Sequence, residues 1–221
     1  MYPFRCMPLP QPVNRTLRHT RAITAEVFLR DDGLWDIDAR LKDIKARDLM
    51  LFTGQLRPQG TPLHDLWLRI TIDTQFNIVD AAASSDWNPY PGYCEAIEPA
   101  YRQLIGLNLL KQFRAAARAR LGGTDGCTHL TELCGLLPTV AFQAFAGEVI
   151  RTRDPASDPA HGNQPPPQLN RCHALSFQGN AVREYFPRWY GHQPANASER
   201  GSFSEELARL PVSDENREPP A

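Results

Sequence analysis

Residues 21–43 read RAITAEVFLRDDGLWDIDARLKD, and this stretch decides the fold. Ile23, Ala25, Val27 and Leu29 alternate with polar residues, interrupted only by Phe28. That period of two marks a half-buried strand. Asp31-Asp32-Gly33 follows, a turn chemistry that joins hairpin strands. Beyond it Ile37, Ala39 and Leu41 resume the alternation. The stretch is therefore a β-hairpin. A third strand is expected over His64–Thr74, where Leu66, Leu68, Ile70 and Ile72 alternate with Trp67, Arg69 and Thr71. Asp73-Thr74-Gln75 makes a tight turn into a fourth strand, Phe76–Ala83. Strands in succession with short turns imply an antiparallel meander, not βαβ units.

The period then changes. After the turn-rich run from Ser84 to Gly92, Tyr93–Ile105 reads as helix, stopped by Gly106. Asn108 is the expected N-cap of a second helix, Leu109–Leu121. A glycine-containing loop, 122–126, leads to a third helix over 127–151, which Pro138 must kink or restart. The fold expected is α+β: an antiparallel sheet of four or five strands, about three helices on one face, and a C-terminal segment, 171–190, packing back. Residues 1–20 read as an extended lead-in and 21–190 as one domain, with a proline-rich loop at 152–170. The polar composition of 191–221 marks a tail, with a short helix at 203–210.

Composition narrows the function classes. The 221 residues are 42% hydrophobic with a formal net charge of −1, which argues against a nucleic-acid binder. No apolar run is long enough to span a bilayer, and Met1 to Pro12 lacks the apolar region of a secretory signal. A cytoplasmic protein is expected. The five cysteines are an odd number and read as reduced thiols. The strand–helix glycine fingerprint for dinucleotides, the P-loop, His-Glu-x-x-His and Gly-x-Ser-x-Gly are all missing from the sequence, which disfavours nucleotide-cofactor, zincin and ordinary hydrolase chemistry.

The chemistry-bearing stretch is Gly126-Cys127-Thr128-His129-Leu130. A thiol and an imidazole at a helix start meet unpaired backbone N–H groups, which favour a thiolate. Cys127 and His129 do not share a face of a regular helix, but both can reach one cavity if Gly126 splays the first turn. Cys127 is then the thiolate or a supporting acid, with His129 or His64 as general base and Tyr90 beside them. Trp87, Tyr93 and Trp35 are candidates to wall an aromatic-binding pocket, against the alternative that they are core. Cys94, Cys127, His129 and His173 are the candidate metal ligands, with zinc or iron as the metal. Cys134, in an apolar stripe with Leu130 and Leu137, reads as core.

Several strings resemble a bacterial family of domains of unknown function. They include Leu29-Arg30-x-Asp32-Gly33-Leu34-Trp35, Gly60-x-x-Leu63-His64, the Gly126–Leu133 string and Cys172-His173-Ala174, over roughly residues 20–190. The order of strands, Cys94 before a helix and Cys127 before another is also similar to iron–sulfur scaffold proteins of the NifU/IscU type. That likeness implies cysteines converging near one end of the sheet. Three functions follow. The first is a small enzyme without an organic cofactor, a lyase acting by acid/base chemistry on a small aromatic or carboxylate-bearing molecule. The second is a metal or iron–sulfur binding protein, and the third an interaction module with inert thiols. A small-molecule substrate, no nucleic acid or membrane partner, and compatibility with a homo-oligomer complete the expectation.

Overall fold

The computed structural model describes residues 9–150, 152 and 165–193. The fold is α+β. Strands β1 (His19–Leu29), β2 (Trp35–Lys45), β5 (Pro62–Ile72) and β6 (Ile78–Trp87) form a four-stranded sheet in the order β1-β2-β5-β6. All three pairings are antiparallel, as the meander reading requires. Between β2 and β5 the chain makes a two-stranded ribbon, β3 (Leu49–Met50) with β4 (Leu56–Arg57). Gly33 closes the first hairpin at φ +80, a left-handed conformation that a side chain disfavours.

One face of the sheet is apolar. Ile37, Ala39 and Leu41 on β2 are fully buried, as are Leu68, Ile70 and Ile72 on β5. Over them pack a 3₁₀ helix, Glu95–Leu104, and helices α1 (Phe113–Leu121), α2 (Thr128–Cys134) and α3 (Leu137–Phe145). Tyr101, Phe113, Leu133, Leu137 and Phe145 complete this core. Burying one such leucine or phenylalanine is worth about 1.5–3 kcal/mol, so the layer itself holds the helices on the sheet.

The helices differ from expectation in their ends. The segment before Gly106 is 3₁₀ over Glu95–Leu104, with Pro99 inside it removing one N–H donor. Gly106 does stop it, at φ +84, and donates its N–H to the carbonyl of Ile78. Asn108 caps a turn, not a helix: its Oδ1 accepts the N–H of Leu110, and its Nδ2 reaches Gln75 and Asn77. Leu109 meanwhile donates to Phe76, and α1 begins only after Gln112 at φ 49. The 127–151 helix is two helices, and Pro138 sits in the first turn of the second, where a missing N–H costs nothing.

Residues 165–193 make a second small cluster, Leu169, Phe177, Val182 and Trp189, around helix α4 (Asn180–Tyr185). The expected helix at 203–210 and the tail from 194 lie outside the described residues, as does most of the proline-rich loop. No described helix is long and apolar enough to cross a membrane.

Candidate functional site

The apolar face of the sheet ends in a polar row. The inward alternation of β2, Ile37, Ala39, Leu41, has Asp43 as its next member, and that of β5 ends on His64. The register aligns Ile23, Leu41 and Leu66 in one row and Arg21, Asp43 and His64 in the next. A β-bulge follows at Asp43/Ile44, where the ladder loses its regular pairing. Helix α2 covers this end. Leu130 and Leu133 face the core, while His129 and Glu132, three apart, share the neighbouring face and look onto the polar row.

Asp43 is the hub. It is 2% exposed, yet four donors reach it. Arg21 donates from Nε to Oδ1 and from Nη2 to Oδ2, both at 2.8 Å. His64 Nδ1 lies 3.0 Å from Oδ2 and His19 Nε2 3.1 Å from Oδ1. Arg21 also reaches Glu132 at 2.6 Å, tying α2 to the strands. Burial alone would push the Asp43 carboxyl up; the Arg21 fork and His64 outweigh it and hold it at about 2. An ionised carboxylate only accepts, so His64 must carry its proton on Nδ1. Burial, and then the charge of neighbouring His129, lower the His64 pKa against the pull of Asp43. The two rings lie with centres 4.0 Å apart, so only one of them can be charged at small cost.

Cys127 stands on the far side of His129. Its Sγ is 3.9 Å from His129 Nδ1, and His129 Nε2 is 3.8 Å from Asp43 Oδ2. Thiol, imidazole and carboxylate thus form a line. Burial works against the thiolate, but His129 and the N–H groups of Leu130 and His129 outweigh it, and the Cys127 pKa falls below that of an ordinary thiol. Tyr101, fully buried, fixes the backbone there. Its hydroxyl accepts the Cys127 N–H at 3.0 Å and lies 2.8 Å from Thr131 Oγ1, which donates to Leu121. Gly126 has no room for more: a Cβ there would collide with the Leu121 carbonyl oxygen.

Asp43, His64 and His129 offer ligand atoms within 4.8 Å of one another, so they are the described residues that could hold a metal. Two observations weigh against that use. Asp43 has about four lone-pair sites, and Arg21, His19 and His64 fill four. A metal bound at about 2.1 Å by both imidazoles in tetrahedral geometry would set their ring centres roughly 5 Å apart, and they are 4.0 Å apart. The hydrogen-bonded arrangement fits the side chains as they stand.

The structure brings together His64, Cys127 and His129 from the sequence-derived candidates. Cys94, half-buried before the 3₁₀ helix, lies close enough to Cys127 to feel its charge; burial first and that charge second push its thiol up. The four-ligand set of Cys94, Cys127, His129 and His173 is not gathered; Asp43 and His64 accompany His129 instead. His173 is exposed in the 165–193 segment, next to exposed Cys172. Tyr90 is 44% exposed, and its ring stacks on Phe52 at 6.5 Å, outside the cluster. The aromatic pocket does not form. Trp35 is core, against Phe145, and eight residues along β2 from Asp43, roughly 27 Å away. Trp87 lies under the Arg57 guanidinium, and Tyr93 is 83% exposed. Cys134 is core, and burial pushes its thiol up to about 12.

The family model described as a protein of unknown function, DUF2889, matches residues 19–143, more than half of the chain. The chain belongs to the DUF2889 family. The match starts at the first residue of β1 and ends inside α3, so it contains every member of the Asp43 cluster and Cys127. The Cys172-His173 segment falls outside it. No curated protein and no solved structure matches, and the comparisons give no support to the expected likeness to iron–sulfur scaffolds.

Proposed function

We propose that this DUF2889 protein is a small enzyme without an organic cofactor, whose Cys127 thiolate attacks a carbonyl carbon of a modest aromatic or carboxylate-bearing molecule. One observation carries the reading: Cys127 Sγ, His129 and Asp43 lie in line at 3.9 and 3.8 Å. These separations are long for hydrogen bonds, and catalytic contacts commonly tighten only when substrate binds. His129 Nδ1 takes the thiol proton, and the imidazolium so formed is stabilised by the nearby charge of Asp43, whose lone pairs Arg21, His19 and His64 already occupy. The thiolate adds to the carbonyl, the leaving group departs with the proton returned by His129, and water or an acceptor releases the acyl group. His64, kept uncharged by its surroundings, lets its neighbour carry the positive charge. The Cys127 N–H is engaged by Tyr101, so oxyanion stabilisation must come from another donor. A lyase-type step uses the same pair, with the thiolate taking a proton instead of bonding to carbon. Either chemistry needs a reduced thiol and so suits a reducing compartment such as the cytoplasm.

The test is covalent trapping on the full chain. With small aryl thioesters or p-nitrophenyl esters, a burst of one equivalent and an acyl mass on Cys127 are expected, both lost in Cys127→Ala. Turnover without an adduct, unchanged in Cys127→Ala, would mean that water and not the thiolate attacks the carbonyl. Iodoacetamide at neutral pH should alkylate Cys127 at least 100-fold faster than Cys134, whose thiol titrates near 12. A Cys127 no more reactive than exposed Cys172 would sink the reading, and one equivalent of tightly bound zinc or iron would transfer the site to metal chemistry.

A further inference from the structure

Arg21 is satisfied on one side only. Its guanidinium has five N–H donors in a planar fork. Asp43 takes two of them, the Nε–H and one Nη2–H, both at 2.8 Å. Glu132 takes a third, from Nη1 at 2.6 Å. The other two donors have no acceptor among the described residues. The Nε side lies against buried Asp43, so the second fork, one N–H on each of Nη1 and Nη2, is turned away from it. Arg21 keeps 33% of its side-chain surface exposed, and Glu132, which reaches it through one oxygen, keeps 45%. An exposed ion pair of this kind contributes little to stability, and a carboxylate that takes the whole fork is held more strongly than one that takes a single N–H.

We propose that the outer fork of Arg21 is the receptor for a free carboxylate at the far end of the substrate, and that Glu132 stands in for it in the unliganded chain. The substrate is then an acyl compound with an activated carbonyl at one end and a carboxylate at the other, a half-ester or half-thioester of a dicarboxylic acid. Its two ends match the layout of the site. Arg21 Nη2, Asp43 Oδ2, His129 and Cys127 Sγ follow one another in steps of 2.8, 3.8 and 3.9 Å. Glu132 and His129 share one face of α2, so a molecule lying along that face has its carboxylate at Arg21 and its carbonyl at the sulfur. Asp43 fixes the guanidinium from beneath, and a fork held in place before binding loses little freedom on binding. The charge beside Arg21 stays balanced, because one carboxylate leaves as another arrives. The substrate class rests on the Cys127 chemistry proposed above, whereas the carboxylate receptor rests on Arg21 and Glu132. In that chemistry the C–S bond forms as the bond to the leaving group breaks, the leaving group takes the proton from His129, and water then frees the dicarboxylic acid and restores the thiol.

Adipate, an unreactive dicarboxylate, should slow the alkylation of Cys127 by neutral iodoacetamide in the full chain, with ionic strength held constant by sodium chloride. The uncharged diol of the same chain length should not. Glu132→Gln removes the competing carboxylate and should lower the adipate concentration for half-protection about tenfold. Arg21→Lys keeps the charge but loses the fork and should abolish protection. Arg21 also holds Asp43, so the Glu132 variant, which leaves that contact in place, is the deciding one. Absence of protection in wild type and Glu132→Gln alike would overturn the proposal. So would equal protection by the diol, a Glu132→Gln chain that needs more adipate, or protection that survives in Arg21→Lys. The neutral aryl esters that test Cys127 make no use of the fork. Acylation of Cys127 with no effect of adipate therefore removes the carboxylate receptor and leaves the thiol chemistry, and protection without acylation does the reverse.

Discussion

Asp43 and Asp65 are both buried carboxylates, 2% and 3% exposed, and they lie within one rung of each other on opposite faces of the sheet. Their partners differ in kind. Asp65 is held by Arg40, at 2.6 and 2.7 Å, and by Lys42 at 3.5 Å; the Arg40 guanidinium carbon in turn sits over the Trp67 ring, 4.5 Å from its centre. None of those cations changes charge near neutral pH. Asp43 has one such cation, Arg21, and is otherwise ringed by His19, His64 and His129. A buried carboxylate among fixed cations is an anchor. The same group among imidazoles can sense and pass on a proton, because histidine alone titrates in that range unperturbed.

The sharpest break of this contrast comes from Asp65. Replacing it with alanine strands Arg40 and Lys42 against the strands, and a loss of about 2–3 kcal/mol is expected, below the full cost of a buried pair because both cations are one-third exposed. Urea unfolding measures it, and alkylation of Cys127 should not change. If Cys127 slows as well, the two carboxylates are not separate devices.

Asp43→Asn is the counterpart. The Asp43 carboxyl titrates at about 2 in the folded chain against 3.8 when unperturbed. Its folded value is the lower one, so its contribution is complete above about pH 4 and is lost as the pH falls towards 2. The gap in unfolding free energy between wild type and variant should be about 2 kcal/mol at pH 7, shrink to a small fraction of that near pH 2 and vanish below it. A gap that persists at pH 2 would mean that the carboxylate's charge is not what matters.

The smallest effect separates His129 from the rest. His129→Gln keeps a polar side chain but removes the base beside the thiol. Alkylation of Cys127 near neutral pH should slow about tenfold, equivalent to about 1.4 kcal/mol, with its pH profile moved upward. His64→Gln should move that profile less, since His64 faces Asp43 and not the sulfur. Equal shifts would move the acid/base role to the two adjoining imidazoles as a unit.

The sheet was legible in the sequence because its alternation is regular and its turns have specific chemistry. Half of the site was legible for a different reason: Cys127, His129 and His64 are residue types that stand out locally. Asp43, Arg21 and Glu132 do not. Asp43 is the next inward position after Leu41, and the Asp-Gly turn already sets Arg21 opposite it, so extending the register by one rung would have exposed the row. His129 and Glu132 needed only the three-residue spacing on α2. Tyr101 was beyond reach, since nothing local ties a residue of the 3₁₀ helix to the Cys127 peptide. The misplacements have physical causes too. Trp35 continues the inward alternation and so belongs to the core, while Trp87 at the end of β6 packs with Arg57, Tyr90 stacks on Phe52 and Tyr93 stays exposed.

The bond between the Cys127 amide and the Tyr101 hydroxyl has a consequence for hydrogen exchange. An amide at a loop–helix junction ordinarily exchanges early, because helix ends fray. This one donates to a hydroxyl with no solvent exposure, itself bonded onward to Thr131 and through it to Leu121. Deuterium reaches it only when the 3₁₀ helix lifts from the layer beneath. A single backbone proton, on the residue that carries the Cys127 sulfur, therefore keeps time for the opening of the whole helical cover.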